Sequence, residues 1–249
     1  TCAKCSIIRP DMLKNILLDM DGTLIDCEVD RFIPPYKAAL AAKFSAEPEM
    51  KKIIETVLTG VKPMVTNDGS RTNREAFIRY AQARLEMTPE TLEEKMTEFY
   101  SREYEAVRRV VTVKPDMIEA VGVLKSKGYR LAVTTNPLFP LHALVRRLEW
   151  GGYDPASFEF VTSYETSRYA KPSHEYYVET LERLKMSPEE TMIVGNDRRE
   201  DVQAGALAGL TTYYLTDAPI DDGTADAAAD MEGKSADFLA FARSLPRAE

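Results

Sequence analysis

Five short runs of this chain, most of them apolar at every position, constrain its fold more than anything else in the sequence. They fall at 15–18, 129–134, 158–162, 191–194 and 211–215, and most are rich in β-branched or aromatic residues. A strand with one wet face alternates apolar and polar residues, whereas a continuously apolar strand needs cover on both faces. A parallel sheet between helices gives that cover. Helical patterns at 115–127, 139–149, 173–186 and 199–209 separate the later runs. The alternation predicts an α/β fold with a parallel sheet.

One stretch interrupts the rhythm. From Arg31 to Arg109 there is hardly a strand signal, only helical pattern, as in YKAALAAKF, EMKKIIETVLTG, NREAFIRYAQARLEM and PETLEEKMTEFYSREYEAVRRV. Thr88-Pro89-Glu90 opens the last of these with a capping residue and a first-turn proline. The stretch is too long for a crossover and predicts a separate helical lobe at 31–111, leaving a core of 10–30 and 112–249 with hinges near 28–35 and 110–115. The acidic, Ala- and Gly-rich tail after Leu215 predicts a loop and then a terminal helix at 235–244.

Composition excludes some roles. A net charge of −8 argues against general binding to nucleic acid or to acidic membranes, since phosphate-rich surfaces need a positive partner. A small anionic ligand needs only local cations. No apolar stretch approaches the roughly 18 residues of a membrane span, and TCAKCSIIRPDMLKN is too polar for a secretory signal, so the expected location is cytoplasmic. Of three cysteines, Cys2 and Cys5 have CxxC spacing, but no second pair or paired histidines complete a zinc site. An N-terminal extension without a metal is the simpler reading.

Ligands of an open parallel sheet bind outside the carboxyl ends of its strands, so the residues just past each strand matter most. After the first come Asp19-Met20-Asp21-Gly22-Thr23, and after the second Thr135-Asn136-Pro137. The third leads to a loop with Lys171-Pro172, and the fourth to Gly195-Asn196-Asp197 with Asp201 one turn on. A carboxylate such as Asp19 is ionised at neutral pH and can attack phosphorus to form an aspartyl-phosphate. Anion–dianion repulsion of several kcal/mol at an effective dielectric of ~20 opposes it, and a divalent metal and a lysine at the same edge remove that obstacle. Asp21 would then protonate the leaving oxygen and later deprotonate the attacking water. Gly22 permits a tight turn that Thr23 can cap.

This ordered set, DMDGT, Thr135-Asn136, Lys171-Pro172 and GND-RRE-D, resembles the four motifs of the haloacid dehalogenase (HAD) superfamily, and the resemblance covers nearly the whole chain. It implies a Rossmann-like core, with the helical lobe placed where members with a C1-type cap carry theirs. It further implies Mg²⁺ held by Asp19, the main-chain carbonyl of Asp21 and an acid of the fourth motif, with Asp197 favoured and Asp201 auxiliary. Thr135 and the Asn136 N–H would grip phosphoryl oxygens, and Lys171 would neutralise charge. Many members have Asp directly after the fourth-motif Gly, where this chain has Asn196.

Members that cleave carbon–halogen bonds lack the second acid, so Asp21 favours phosphoryl transfer. The expected function is a Mg²⁺-dependent phosphatase acting on a small phosphorylated metabolite, as monomer or homodimer. The alternatives are a phosphomutase with the same site and a non-catalytic binding or regulatory protein on the same fold. In the lobe, TNDGSRTNRE offers Arg71 and Arg74 as substrate contacts, against the plainer reading of a solvated loop. Arg31, Phe32 and Tyr36 are weaker candidates. For Trp150 and His174, packing or solvation is the preferred reading.

Overall fold

The computed structural model describes residues 10–248, so the CxxC pair lies outside the described residues. The chain runs β1 (Asn15–Leu18), β2 (Ile25–Asp26), α1 (Val29–Lys43), α2 (Met50–Thr59), α3 (Val61–Val65), α4 (Asn73–Gln82) and α5 (Pro89–Ser101). A 3₁₀ segment, Glu103–Val110, returns it to β3 (Thr112–Val113). Next come α6 (Pro115–Ser126), β4 (Arg130–Val133), α7 (Leu141–Trp150), β5 (Phe160–Val161), α8 (Glu175–Leu184) and β6 (Thr191–Gly195). A π-helical turn at Arg198–Gln203 leads into α9 (Ala204–Leu207), and β7 (Thr211–Leu215), β8 (Met231–Gly233) and α10 (Ser235–Ser244) complete the chain.

The main sheet has the order β5-β4-β1-β6-β7-β8, with every neighbouring pair parallel. β1 is central and wholly buried, as its apolar sequence requires. Alternation along it still matters, because Ile16 and Leu18 enter one core while Leu17 enters the other, beside Tyr176, Tyr177 and Ile193. The chain leaves β1 for β4 on one side and reaches β6 on the other, a switch point that opens a crevice at the carboxyl ends.

The helical insert α1–α5 hangs from a two-stranded antiparallel ribbon in which Ile25 pairs with Val113 and Asp26 with Thr112. Its first helix begins at Val29 and continues through Pro34 and Pro35. These prolines forgo two backbone donors, and the packing of Phe32, Pro35 and Tyr36, all buried, outweighs that loss. The insert shares the larger apolar core: Phe32, Tyr36 and Tyr104 pack with Phe139 and Trp150 from the sheet side. The tail, expected as loop then helix, also adds β8 at the sheet edge.

Candidate active site

The crevice is built from the turn after β1. Asp19 N–H donates to the Val194 carbonyl at 2.9 Å and Thr134 N–H to the Leu18 carbonyl at 2.8 Å, so ladder bonds to both neighbouring strands hold the strand tip. The chain then reverses, with Gly22 N–H bonded to Ile25 O at 2.7 Å. Gly22 has φ +78°, and a Cβ there would strike the Asn196 amide, so the turn needs glycine both for its conformation and for its close approach.

Lys171 is the electrostatic centre. It is 1% exposed, and its ammonium donates to Asp19 Oδ1 at 2.8 Å and to Asp201 Oδ1 at 2.6 Å. The rings of Tyr176 and Tyr177 stand 6.0 and 5.9 Å from the ammonium, and Tyr177 Oη donates to Asp201 Oδ1 at 3.1 Å. Burial works against its charge, but the two carboxylates outweigh burial and raise its pKa well above the usual lysine value. One lysine cannot satisfy all the acids here. Burial pushes Asp19 from 3.8 up to about 8, with Lys171 opposing and Asp201 adding to the rise. Glu200 is likewise pushed by burial to about 7. The site therefore carries more carboxylate than its protein cation balances.

The fourth strand end departs from a regular helix start. Asp201 N–H and Val202 N–H both donate to Asp197 O, at 2.9 and 3.2 Å, and the second of these is the wide i to i−5 closure of a π turn. Asp197 Oδ1 accepts from the N–H groups of Arg199 and Glu200, both at 2.8 Å, as an N-cap does. Asp201 turns back under the strand. Its Oδ2 accepts from Asp197 N–H at 3.0 Å, and its carboxylate fills the space a Cβ on Gly195 would need. Asn196 serves the first turn instead, accepting from Thr23 Oγ1 at 3.3 Å and donating to Ala218 O at 2.6 Å.

Thr135 is buried, and its carbonyl accepts from Thr162 Oγ1 and Tyr176 Oη, both at 2.8 Å. Asn136 Nδ2 donates to Glu200 Oε2 at 3.2 Å. Asp19, Asp201 and Lys171 are thus in direct contact, Gly22 and Thr23 shape the turn beside them, and Thr135 and Asn136 are tied to the same loops. Arg74 instead forms a two-pronged pair with Glu93 within the insert, at 2.5 and 2.7 Å, and Arg71 offers its carbonyl to Asn67 Nδ2 at 2.9 Å. His174 lies beside Glu175 with its side chain open to solvent, and Trp150 is buried against Tyr104.

Three further residues that no sequence motif marks reach this edge. Arg147, 3% exposed, pairs its guanidinium with Asp21. Asn73 of the insert, wholly buried, donates through Nδ2 to Pro137 O and Tyr169 O, both at 3.2 Å. Lys114 Nζ donates to Gly22 O at 2.7 Å and lines a cleft of about 820 Å³ beside Asp21, with Asp26, Glu28 and Asp217. Arg147 did leave one sign: it lies on the buried stripe of α7 with Ala143, Leu144 and Leu148, where a charge needs a partner.

Comparison with known proteins identifies the family and the fold. Residues 13–209 match the haloacid dehalogenase-like hydrolase family. The chain is 30% identical over 204 residues to a phosphoglycolate phosphatase of Aquifex aeolicus, covering 80% of this chain and 83% of that one. It is 28% identical to a glyceraldehyde 3-phosphate phosphatase of Methanothermobacter thermautotrophicus over 82% and 86% of the two chains. Among solved structures, a HAD phosphatase from Thermococcus onnurineus superposes with a TM-score of 0.61 at 20% identity, covering 94% of this chain and 100% of that one. A 2-haloacid dehalogenase from Pseudomonas syringae does so with the same score and identity over 92% and 99%, which speaks for the fold and not for the reaction. Three strand ends that bring a lysine and two carboxylates together, on a chain matched over most of its length, make this enzyme a member of the haloacid dehalogenase-like hydrolase family.

Proposed function

We propose that the enzyme is a Mg²⁺-dependent phosphatase that hydrolyses a small phosphate monoester through an aspartyl-phosphate on Asp19. The observation that carries this reading is Lys171, buried and hydrogen-bonded to both Asp19 and Asp201, with a second acid, Asp21, two residues from the nucleophile. The phosphatases of Aquifex and Methanothermobacter are similar along most of their length, which favours a small phosphorylated substrate.

An Asp19 oxygen attacks phosphorus, and the bond to the leaving oxygen breaks with its electron pair. That oxygen takes a proton from Asp21 and departs as an alcohol. Asp21, now a carboxylate, takes a proton from water as the water oxygen attacks the phosphoryl group. The Asp19–phosphorus bond then breaks, releasing phosphate and restoring both acids. Lys171 steadies charge on Asp19 and on the transferring group. Thr135 and the Asn136 N–H are assigned to the phosphoryl oxygens. The helical cap excludes bulk water and selects the leaving group.

The donor set fits a hard divalent cation, because the carboxylates outnumber the buried lysine and burial, with Asp201 adding to it, holds Asp19 up at about 8. Among the described residues no three His, Cys, Asp or Glu side chains cluster closely enough to hold an ion alone. Asp19 and Asp197 would hold it together with the Asp21 carbonyl and water, a mixture that suits Mg²⁺. Asp201, with both oxygens engaged, would support them. Bound there, the ion supplies charge neutralisation for the nucleophile and the phosphoryl oxygens.

Release of phosphate from p-nitrophenyl phosphate tests the reading. Turnover should require Mg²⁺, stop with EDTA, and vanish in Asp19→Asn while the fold persists. Metal-independent turnover, or an active Asp19→Asn, would overturn it.

A further inference from the structure

Arg147 belongs to none of the four motifs, yet it carries the ion pair nearest the proposed proton-transfer group. It projects from α7, is 3% exposed, and pairs with Asp21 Oδ1. Its guanidinium carbon lies 5.0 Å from the ring centroid of Phe32 on the first helix of the insert, and its Nε is buried with no hydrogen-bond partner. Asp21 is the one carboxylate that Arg147 pairs with among the described residues. A buried guanidinium whose one carboxyl partner among the described residues is Asp21 stays hydrogen-bonded to it, because moving away would leave buried N–H groups unpaired.

The chemistry of the pair restricts Asp21. A guanidinium donates and never accepts. Its N–H engages Oδ1, which leaves Oδ2 the more available oxygen for exchanging a proton. The Phe32 ring beside the guanidinium restricts where its N–H groups, and the Asp21 oxygen they meet, can sit. We propose that Arg147 is the positioning residue for Asp21. It selects the oxygen that carries the proton and aims that oxygen at the leaving group, so that the base of the insert becomes part of the proton-transfer machinery. The proposal rests on the assignment of Asp21 as the acid–base group.

Three aryl phosphates of nearly equal size, 4-nitrophenyl, phenyl and 4-methoxyphenyl, test it. Their leaving oxygens rise in basicity, and the more basic ones depend more on a donated proton. The value of kcat/KM reports the chemistry up to transfer onto Asp19, so only the acid role is read. The wild type should show a shallow decline along the series. Asp21→Asn should steepen it, losing about 10²–10⁴-fold on the poorest leaving groups. Arg147→Met, which refills the apolar cage, should steepen the decline as well, costing about tenfold more on phenyl than on 4-nitrophenyl phosphate. Arg147→Lys, which keeps the charge without the planar fork, should fall between, and circular dichroism establishes that each variant folds. An Arg147→Met profile parallel to the wild type, whether lowered uniformly or unchanged, would overturn the positioning role. If Asp21→Asn itself leaves the slope unchanged, the assignment of Asp21 fails instead, and that outcome is distinguishable from the first.

Discussion

Lys171 answers to two carboxylates at once, and the consequence appears in how Asp19 titrates. Burial, partly opposed by Lys171, moves its pKa from 3.8 to about 8. Between those values the metal-free folded state keeps a proton that the unfolded chain has released, so this group's contribution to stability falls as pH rises through the window. Glu200, raised by burial to about 7, acts in the same direction. A cation competing with those protons should do the reverse. The midpoint of thermal unfolding should therefore rise more on adding Mg²⁺ at pH 8 than at pH 5.5, and Asp19→Asn should remove most of the difference. A Mg²⁺ effect independent of pH would contradict this account. The same residues show what a sequence discloses at this scale. Asp19, Asp21 and Lys171 stand out in the sequence because each is a charged residue just past a predicted strand, and the structure brings Asp19 and Lys171 into contact. Tyr177 does not stand out, because it looks like one polar position on an amphipathic helix until the fold decides which stripe is buried, and Arg147 leaves only its place on an apolar stripe.

At the scale of elements, the polar break between α3 and α4 draws attention in the sequence to its arginines, but its asparagines do the docking. Asn73 N–H donates to Ser167 O at 2.8 Å and Asn67 Nδ2 to Asn73 Oδ1 at 2.8 Å. The Asn73 side-chain amide reaches the carbonyls of Pro137 and Tyr169. The insert thereby ties the loop after Thr135-Asn136 to the loop before Lys171. The buried Pro137 carbonyl and the half-buried Tyr169 carbonyl lose this donor in Asn73→Ala, a cost of about 1–3 kcal/mol in all. Urea unfolding should show a loss in that range, and a shift below about 0.5 kcal/mol, the level of a surface change, would mean the dock is weak. The strands β1 and β7 and the helix α10 occupy the ranges their patterns indicate. By contrast β2, β3 and β8 have only two or three residues, too few for a period to register. They exist because neighbouring chain segments bring them into pairing, which no local signal encodes.

Across the whole molecule, the insert and the sheet share an apolar core. Phe32, Tyr36, Tyr100 and Tyr104 from the insert meet Phe139 and Trp150 from the sheet side, with ring centroids 5.1–6.5 Å apart where they cross the border. Aromatic groups of this size dominate the burial energy of a core, so the insert cannot unfold alone without exposing rings that the sheet side needs covered. The chain has one tryptophan, Trp150, at this border. It is 5.1 Å from Tyr104, and its Nε1 donates to Glu105 at 3.2 Å. Its fluorescence therefore reports the junction, while far-UV circular dichroism reports helices throughout. Unfolding in urea should give coincident transitions by the two probes, as a two-state unit does. Tyr104→Ala, which costs about 3–5 kcal/mol by analogy with other large aromatic truncations, should move both to lower urea together. Should the tryptophan signal change first while much of the helix signal remains, the insert would be an independently stable lobe, and the hold of Phe32 on Arg147 would be too loose to position Asp21.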